Sequence, residues 1–294
     1  MPAFNLSRSP SLGLVGWMSR LVQSSQPWWS ISGPRRRPVG ASGADGCRVA
    51  LVGAGPGAAD LLTLRALRAI EMADAVVYDR LVGADILTLL PPGCERYYVG
   101  KARGDHSVPQ AEIGSLMVRL AREGKRVVRL KGGDPGIFGR MGEELAALGE
   151  AGITAEIVPG ITAAAGAVAA MGMPLTDRAH AQQVRFITAQ QCREEAMPDW
   201  SSLARRDETL VFYMGLNRLE AICQGLRGAG LPADWPVMLV ANASLPEQQS
   251  LIGTLNDMPQ KLAANPLPSP CLIVVGSVVA MACPQVSVAL GANP

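Results

Sequence analysis

Two glycine-rich bends carry the strongest chemical signal in the sequence. Gly53-Ala54-Gly55-Pro56-Gly57-Ala58 satisfies G-x-G-x-x-G/A at the end of an apolar run, and Asp79 follows about twenty residues later. Glycines there let backbone approach a nucleotide closely, and the acid can accept from ribose hydroxyls, which taken alone favours a nicotinamide dinucleotide. Pro56 argues against that ligand, because it removes an N–H from the loop that should cradle a pyrophosphate and stiffens the turn. A tight strand-to-helix turn with no ligand is the plain alternative.

The second bend, Lys131-Gly132-Gly133-Asp134-Pro135-Gly136-Ile137-Phe138-Gly139-Arg140, precedes a helical segment carrying Glu143 and Glu144. Its paired glycines permit close approach, Asp134 can accept from an amino group or ribose hydroxyls, and Pro135 fixes the exit of the turn. That set suits a cationic, hydroxyl-bearing cofactor. The competing reading is a turn whose Asp bonds only its own backbone.

Positioning such bends requires strands that end where the bends begin. From Arg48 onward, short β-branched or apolar runs alternate with helical patterns, as in parallel strands joined by helices. The candidate strands are 48–52, 75–78, 96–99, 125–130 and 155–158, with helices near 61–72, 109–122 and 139–151. Each strand ends in a Gly, Asp or Pro cluster. Ligands in open α/β sheets bind beyond the carboxyl ends of the strands, so these clusters are expected along one edge. Val158-Pro159-Gly160-Ile161-Thr162 opens an Ala-rich helix and begins a second lobe, with strands at 184–188, 209–214, 237–241, 249–254 and 271–276 and a helix near 217–227. The run 248–255, followed at once by the helix-like 258–264, predicts some antiparallel pairing in this lobe. The fold class expected is α/β and two-lobed, with a mostly parallel N-terminal sheet, a mixed C-terminal sheet and the site in the cleft between them. The division reads as an N-terminal extension over 1–46, lobes over 47–159 and 160–282, and a tail over 283–294.

Composition narrows the function classes. The 294 residues are 48% hydrophobic, ample for a sizeable core, and 27 basic against 25 acidic residues give no polyanion-binding character. Aromatics at 4% argue against a nucleic-acid stacking surface, and no apolar run is long enough for a membrane span. The cysteines at 47, 94, 192, 223, 271 and 283 form no C-x-x-C pair and have two histidines to join them. Neither a metal site nor a disulfide framework is signalled, which fits a reducing cytoplasm. Before residue 46 the chain is rich in Arg, Ser, Gly, Pro and Trp with few acids, and reads as disordered. Pro34 to Pro38 and the missing helical periodicity favour a dispensable extension or a misassigned start over a transit peptide.

Taken together, the ordered motifs resemble the tetrapyrrole methylases. The likeness covers Arg48 to about Met281. It rests on Val52 to Gly57 with Leu61-Leu62-Thr63-Leu64-Arg65-Ala66, then Val77-Tyr78-Asp79-Arg80-Leu81-Val82, Val99-Gly100-Lys101, Val108-Pro109-Gln110, the 132–140 bend, Pro159-Gly160-Ile161-Thr162, Pro174-Leu175-Thr176 and Tyr213-Met214-Gly215. The resemblance implies a class III methyltransferase, usually a homodimer, that binds a folded S-adenosyl-L-methionine between its lobes and releases S-adenosyl-L-homocysteine. Carried over by position, the cofactor contacts fall on Pro56, Gly132, Gly133, Asp134, Ile137, Thr162, Ala163, Met214 and Ala243.

The acceptor implied is uroporphyrinogen III, methylated at C2 and then C7 to give precorrin-2, on the branch to sirohaem, cobalamin or haem d1. Alkylating an electron-rich carbon must be balanced by proton loss from the macrocycle, so a base is needed. Asp79 matches the family's proposed proton acceptor and Lys101 its proposed proton donor. The acceptor is a polycarboxylate, and Arg80, Arg103 and Arg140 are the candidate cations for it, with Arg140 the preferred clamp. Arg126 begins a strand and is expected at the far edge, and no role is assigned to His106. Residues outside the core are expected to be too few for the oxidation and iron-insertion domain that some relatives carry.

Departures from the family pattern cluster near this site. Gly136 stands where Phe is expected, Met141 where Gly is, Asp177 where His follows Pro-Leu-Thr, and Ala189-Gln190 where Gly-His is common. Losing a ring at 136 opens space, an acid at 177 would repel a substrate carboxylate, and His180 lies close enough in sequence to replace the imidazole. The departures bear on the acceptor more than on the donor. The rival readings are a methyltransferase for another corrinoid or tetrapyrrole precursor and a noncatalytic relative that binds cofactor or tetrapyrrole.

Overall fold

The computed structural model describes residues 48–100, 108–189 and 198–283. All of them fall in one unit of the chain, Gly46–Pro294. The expected N-terminal extension, like Lys101, Arg103, His106 and Gln190, lies outside the described residues.

The first sheet is built from β1 (Val49–Gly53), β2 (Ala75–Tyr78), β3 (Glu95–Tyr98), β4 (Val127–Lys131) and β5 (Ala155–Val158). All its pairings are parallel, in the order β3-β2-β4-β1-β5. Parallel strands need helical crossovers, and those crossovers bury both faces of the sheet. Helices α1 (Leu64–Glu71) and α2 (Ala84–Thr88) cover one face, packing Ile70 and Ile86 on Val52, Val76, Leu130 and Val158. Helices α3 (Gln110–Arg122) and α4 (Met141–Glu150) cover the other, packing Met117, Leu120 and Leu148 on Leu51, Val77 and Val127. The chain leaves β1 toward β2 over one face and leaves β4 toward β5 over the other. The adjacent pair β1/β4 is therefore the topological switch point, where a crevice opens beyond the strand ends. Both glycine bends leave the sheet there.

Helix α5 (Ala163–Ala170) carries the chain onto a second sheet made of β6 (Gln183–Thr188), β7 (Glu208–Tyr213), β8 (Pro236–Ala241), β9 (Gln249–Thr254) and β10 (Cys271–Val275). Its order is β6-β7-β10-β8-β9, with β6/β7 parallel and the other pairs antiparallel. The mixed sheet expected from the sequence is what forms. Helix α5 packs Ala164, Ala167 and Val168 on Val211, Met238, Val240 and Val274. The opposite face receives α7 (Leu219–Gly228) and Met258 of α8 (Met258–Ala264), with α6 (Trp200–Leu203) at its margin.

Element ends differ from the sequence reading where a side chain or a turn intervenes. Helix α1 starts at Leu64 rather than 61, because Thr63 is its cap and Thr63 Oγ1 accepts from Ala66 N at 3.1 Å. Helix α4 starts at Met141 rather than 139, because Arg140 is left-handed at φ 54°. Strand β4 starts at Val127, since the Arg126 N–H is bonded to Asp74 Oδ2 at 2.9 Å, and it runs one residue further, to Lys131. The short helices α2 and α6 have too few turns to show periodicity, and the sequence pattern does not predict them.

Candidate active site

At the switch point the backbones of three strand ends pack directly on one another. Ala54 N donates to Lys131 O at 2.8 Å, while Gly55 and Gly133 exchange hydrogen bonds of 3.1 and 2.7 Å. A Cβ on Gly53 would lie 2.5 Å from Gly160 N and 2.7 Å from Gly133 O, so only glycine allows the bends after β1, β4 and β5 to close together. Asp134 fastens the arrangement, with Oδ1 accepting from Gly136 N at 2.8 Å and Oδ2 from Gly160 N at 3.0 Å. The turn-forming role weighed for this acid is thus real, and its second oxygen adds a tie to the neighbouring bend.

The second sheet reaches the same place from two directions. Tyr213, at the end of β7, is 2.7 Å from Thr162 Oγ1 through its hydroxyl, which also accepts from Ala164 N at 3.2 Å. Thr162 makes no cap for α5 with its own side chain. A tyrosine of the sheet that α5 covers therefore satisfies one of the helix's unpaired N–H groups. The Tyr213 ring lies 5.0 Å from Phe138 and 5.8 Å from Phe186, and burial pushes the phenol pKa up. After β8, Ser244 Oγ accepts from Ala58 N at 3.1 Å and Ser244 N donates to Gln248 Oε1 at 2.8 Å. Helix α5 rests on Pro56 at Gly166, where any side chain would collide with the proline ring.

Backbone strain collects in these loops. Among the described residues, the non-glycine positions with positive φ are Phe138, Arg140, Met214, Asn242 and Ser244. All five sit in the bends after β4, β7 and β8. Left-handed backbone at such residues persists only where the surroundings enforce it, and it concentrates at functional sites.

The residues singled out from the sequence as cofactor contacts are thereby drawn into one region. Gly133 is beside Thr162 and Ala163, and Ile137 N donates to Asp134 O at 3.2 Å. Gly132 abuts Leu81, Pro56 abuts α5, and the Ala243 carbonyl faces Gly57. Met214 follows Tyr213 and is 51% exposed. The three described residues expected to meet the substrate are already engaged. Asp79 accepts from Leu81 N at 3.0 Å and from Arg129 Nη2 at 3.1 Å. Arg80 Nη1 donates to Ser269 O at 3.3 Å, linking the two sheets. Arg140 makes a two-pronged pair with Glu143, both contacts 2.8 Å. Arg126 lies at the opposite end of the strands, paired with Asp74 at 2.7 Å. Asp177 accepts from Ala179 N at 2.8 Å, so its carboxylate closes its own turn.

Comparison with known proteins agrees with this geometry. A profile of the tetrapyrrole (corrin/porphyrin) methylases matches residues 48–259. The chain belongs to that family. Among its relatives, the uroporphyrinogen-III C-methyltransferase of Paracoccus denitrificans is 49% identical over 250 residues, covering 82% of this chain and 87% of the relative. The siroheme synthase of Thiobacillus denitrificans is 52% identical over 231 residues, which cover 79% of this chain and 48% of the synthase. The chain thus spans about half the length of such synthases. A crystal structure of uroporphyrin-III C-methyl transferase from Thermus thermophilus, complexed with S-adenyl homocysteine, superimposes with a TM-score of 0.68 at 38% identity, covering 80% of this chain and 99% of that one.

Several residues of this site are not signalled by the motifs of the sequence. Arg129, Lys131 and Glu144 form a buried charged cluster behind Asp79, and the available signal was a pair of cations inside a strand that should read as continuously apolar. Ser244 joins loops of the two sheets and Tyr213 joins β7 to the start of α5, through a hydroxyl each, for which the sequence offers no periodic signal. A hollow of about 800 Å³ lies elsewhere, between α3 and α4, walled by Ala111, Gly114, Val118, Arg119, Ala147 and Glu150. Its lining includes charged residues, with Arg119 paired to Glu123 at 2.9 Å, but none of the residues with strained backbone, which gather at the strand ends; the strand-end region is the better candidate.

Proposed function

We propose that this methylase transfers methyl groups from S-adenosyl-L-methionine to uroporphyrinogen III, at C2 and then C7, giving precorrin-2. The observation that carries the reading is the meeting of strained and glycine-rich bends from both sheets at the β1/β4 switch point. The residues there fit the donor. Gly133 has no atom nearer than 3.5 Å to where a side chain would stand, and the Asp134 carboxylate keeps lone pairs for ribose or amino hydrogens. The donor supplies an electrophilic methyl that needs alignment more than activation.

Pro56, Gly132, Gly133, Asp134, Ile137, Thr162, Ala163, Met214 and Ala243 hold the donor. Asp79 accepts the proton that the macrocycle loses, one net per methyl transferred, and a proton supplied by Lys101 is matched by a second lost from the ring to solvent. Arg80, Arg103 and Arg140 receive substrate carboxylates, for which Arg140 exchanges its exposed Glu143 partner and Arg80 its carbonyl. A homodimer in the cytoplasm accompanies this reading and rests on the family likeness.

The test is anaerobic incubation of the purified protein with S-adenosylmethionine and uroporphyrinogen III. The chromophore of precorrin-2 or its oxidised product should appear together with S-adenosylhomocysteine. Methylation of another corrinoid precursor alone would overturn the acceptor and keep the donor. Binding without transfer to any tetrapyrrole would overturn the enzymatic reading.

A further inference from the structure

Strand β4 is the central strand of a parallel sheet covered on both faces, yet it places two cations, Arg129 and Lys131, on the face beneath α4. Their partner is Glu144, whose side chain is 0% exposed, against 4% for Arg129 and 5% for Lys131. Every polar group of the cluster has a bond. Lys131 Nζ contacts both Glu144 oxygens at 2.8 Å, and Arg129 Nε contacts Glu144 Oε1 at 2.9 Å. Arg129 Nη1 donates to Leu130 O at 2.7 Å and also reaches Val77 O at 3.4 Å, leaving Nη2 directed at Asp79 Oδ2, 3.1 Å away. Asp79 is the one member that reaches the surface, with 26% of its side chain exposed.

Apolar residues of equal volume usually replace such clusters at little or no loss of stability, so stability alone gives weak reason to bury three charges here. The geometry offers another reason. We propose that Arg129 is a positioning residue for the methyl-transfer reaction: anchored through Glu144 to Lys131, it fixes the Asp79 carboxylate at the end of β2. This rests on the reading of Asp79 as proton acceptor. Arg129 holds one carboxylate oxygen and the Leu81 N–H the other, so the plane of the group cannot rotate. Leu81 in turn abuts Gly132, which fixes Asp79 relative to the donor bend. A quarter of the Asp79 side chain stays exposed. The guanidinium stays charged and relays no proton, because arginine does not deprotonate in proteins.

A double-mutant cycle on the full chain tests this. Arg129→Met with Glu144→Gln removes one buried charge of each sign and leaves Lys131 and Asp79 in balance. Its kcat should fall on the order of 10²-fold, the scale for misplacing a reacting group by about 1 Å. Its affinity for S-adenosylhomocysteine should stay within about twofold. Asp79→Asn should lower kcat alone, and adding the Arg129/Glu144 pair to it should cost little more, because the pair acts through Asp79. Arg129→Lys should recover part of the lost rate. Losses that multiply, or a folded Arg129→Met/Glu144→Gln protein with unchanged kcat, would overturn the positioning role and leave the Asp79 reading intact. Wild-type turnover by Asp79→Asn would instead overturn that reading, and the proposal with it. Should the paired variant fail to fold, the same cycle run with Arg129→Lys reads the coupling, and multiplying losses there would overturn the role equally.

Discussion

Removing one oxygen atom, the Tyr213 hydroxyl, isolates the join between the end of β7 and the start of α5. Tyr213→Phe keeps the ring between Phe138 and Phe186 and deletes only the contacts to Thr162 Oγ1 and Ala164 N. The Ala164 N–H belongs to the first turn of α5, where losing a cap costs about 1 kcal/mol, and the second lost bond is worth a similar amount. Thr162 can rotate to cap its own helix and recover part of this, so a net loss of about 1–2 kcal/mol is expected. At roughly 2–4 °C per kcal/mol for a domain of this size, Tm should fall by about 2–8 °C. Thr162 and Ala163 are both expected donor contacts, so the affinity for S-adenosylhomocysteine by titration calorimetry should weaken about 5- to 30-fold. A Tm within a degree of wild type together with unchanged affinity would refute the idea that this hydroxyl fixes the start of α5 in the site.

Other perturbations have equally definite outcomes. The Arg126 guanidinium holds the Asp74 carboxyl down at about 2, from an ordinary 3.8. A carboxylate with a depressed folded pKa stabilises above its unfolded pKa and loses that contribution as pH falls through the folded one, so the effect should fade between about pH 4 and 2. The pair is exposed and its share small, but Tm across that range should fall less steeply in Arg126→Met than in wild type. Gly53→Ala drives a methyl against the Gly160 backbone, an overpacking cost of about 1–3 kcal/mol, and should lower both Tm and S-adenosylhomocysteine affinity; unchanged values would refute the close packing. Burial pushes the Cys223 thiol up to about 11 and Cys271 up to about 12. A thiol reagent at pH 8 should therefore label both only on unfolding, whereas exposed Cys283 reacts in the native protein.

Most of the scaffold could be read from the residues, because its strands are β-branched runs bounded by Gly, Asp and Pro. The strands 75–78, 155–158 and 249–254 form where expected. The gathering of strand-end clusters also follows from sequence, since a parallel sheet puts all its carboxyl ends on one edge and Gly53, Gly133 and Gly160 meet there. What escaped depends on contacts between residues far apart in the chain. Nothing local to Arg129 shows that its guanidinium will find Glu144 and Asp79. Arg80 and Asp79 likewise hold partners far along the chain, Ser269 O and Arg129, that no local spacing shows. The left-handed backbone at Phe138, Met214, Asn242 and Ser244 is equally hidden, because none of these residue types demands it.

The most direct test is a crystal structure of the protein grown with S-adenosylhomocysteine. Density for the nucleoside against Asp134 and Thr162, with the Met214 and Ala243 bends closing over it, is the predicted result. Density confined to the hollow between α3 and α4, or touching the first sheet's bends and none from the second, would contradict the account.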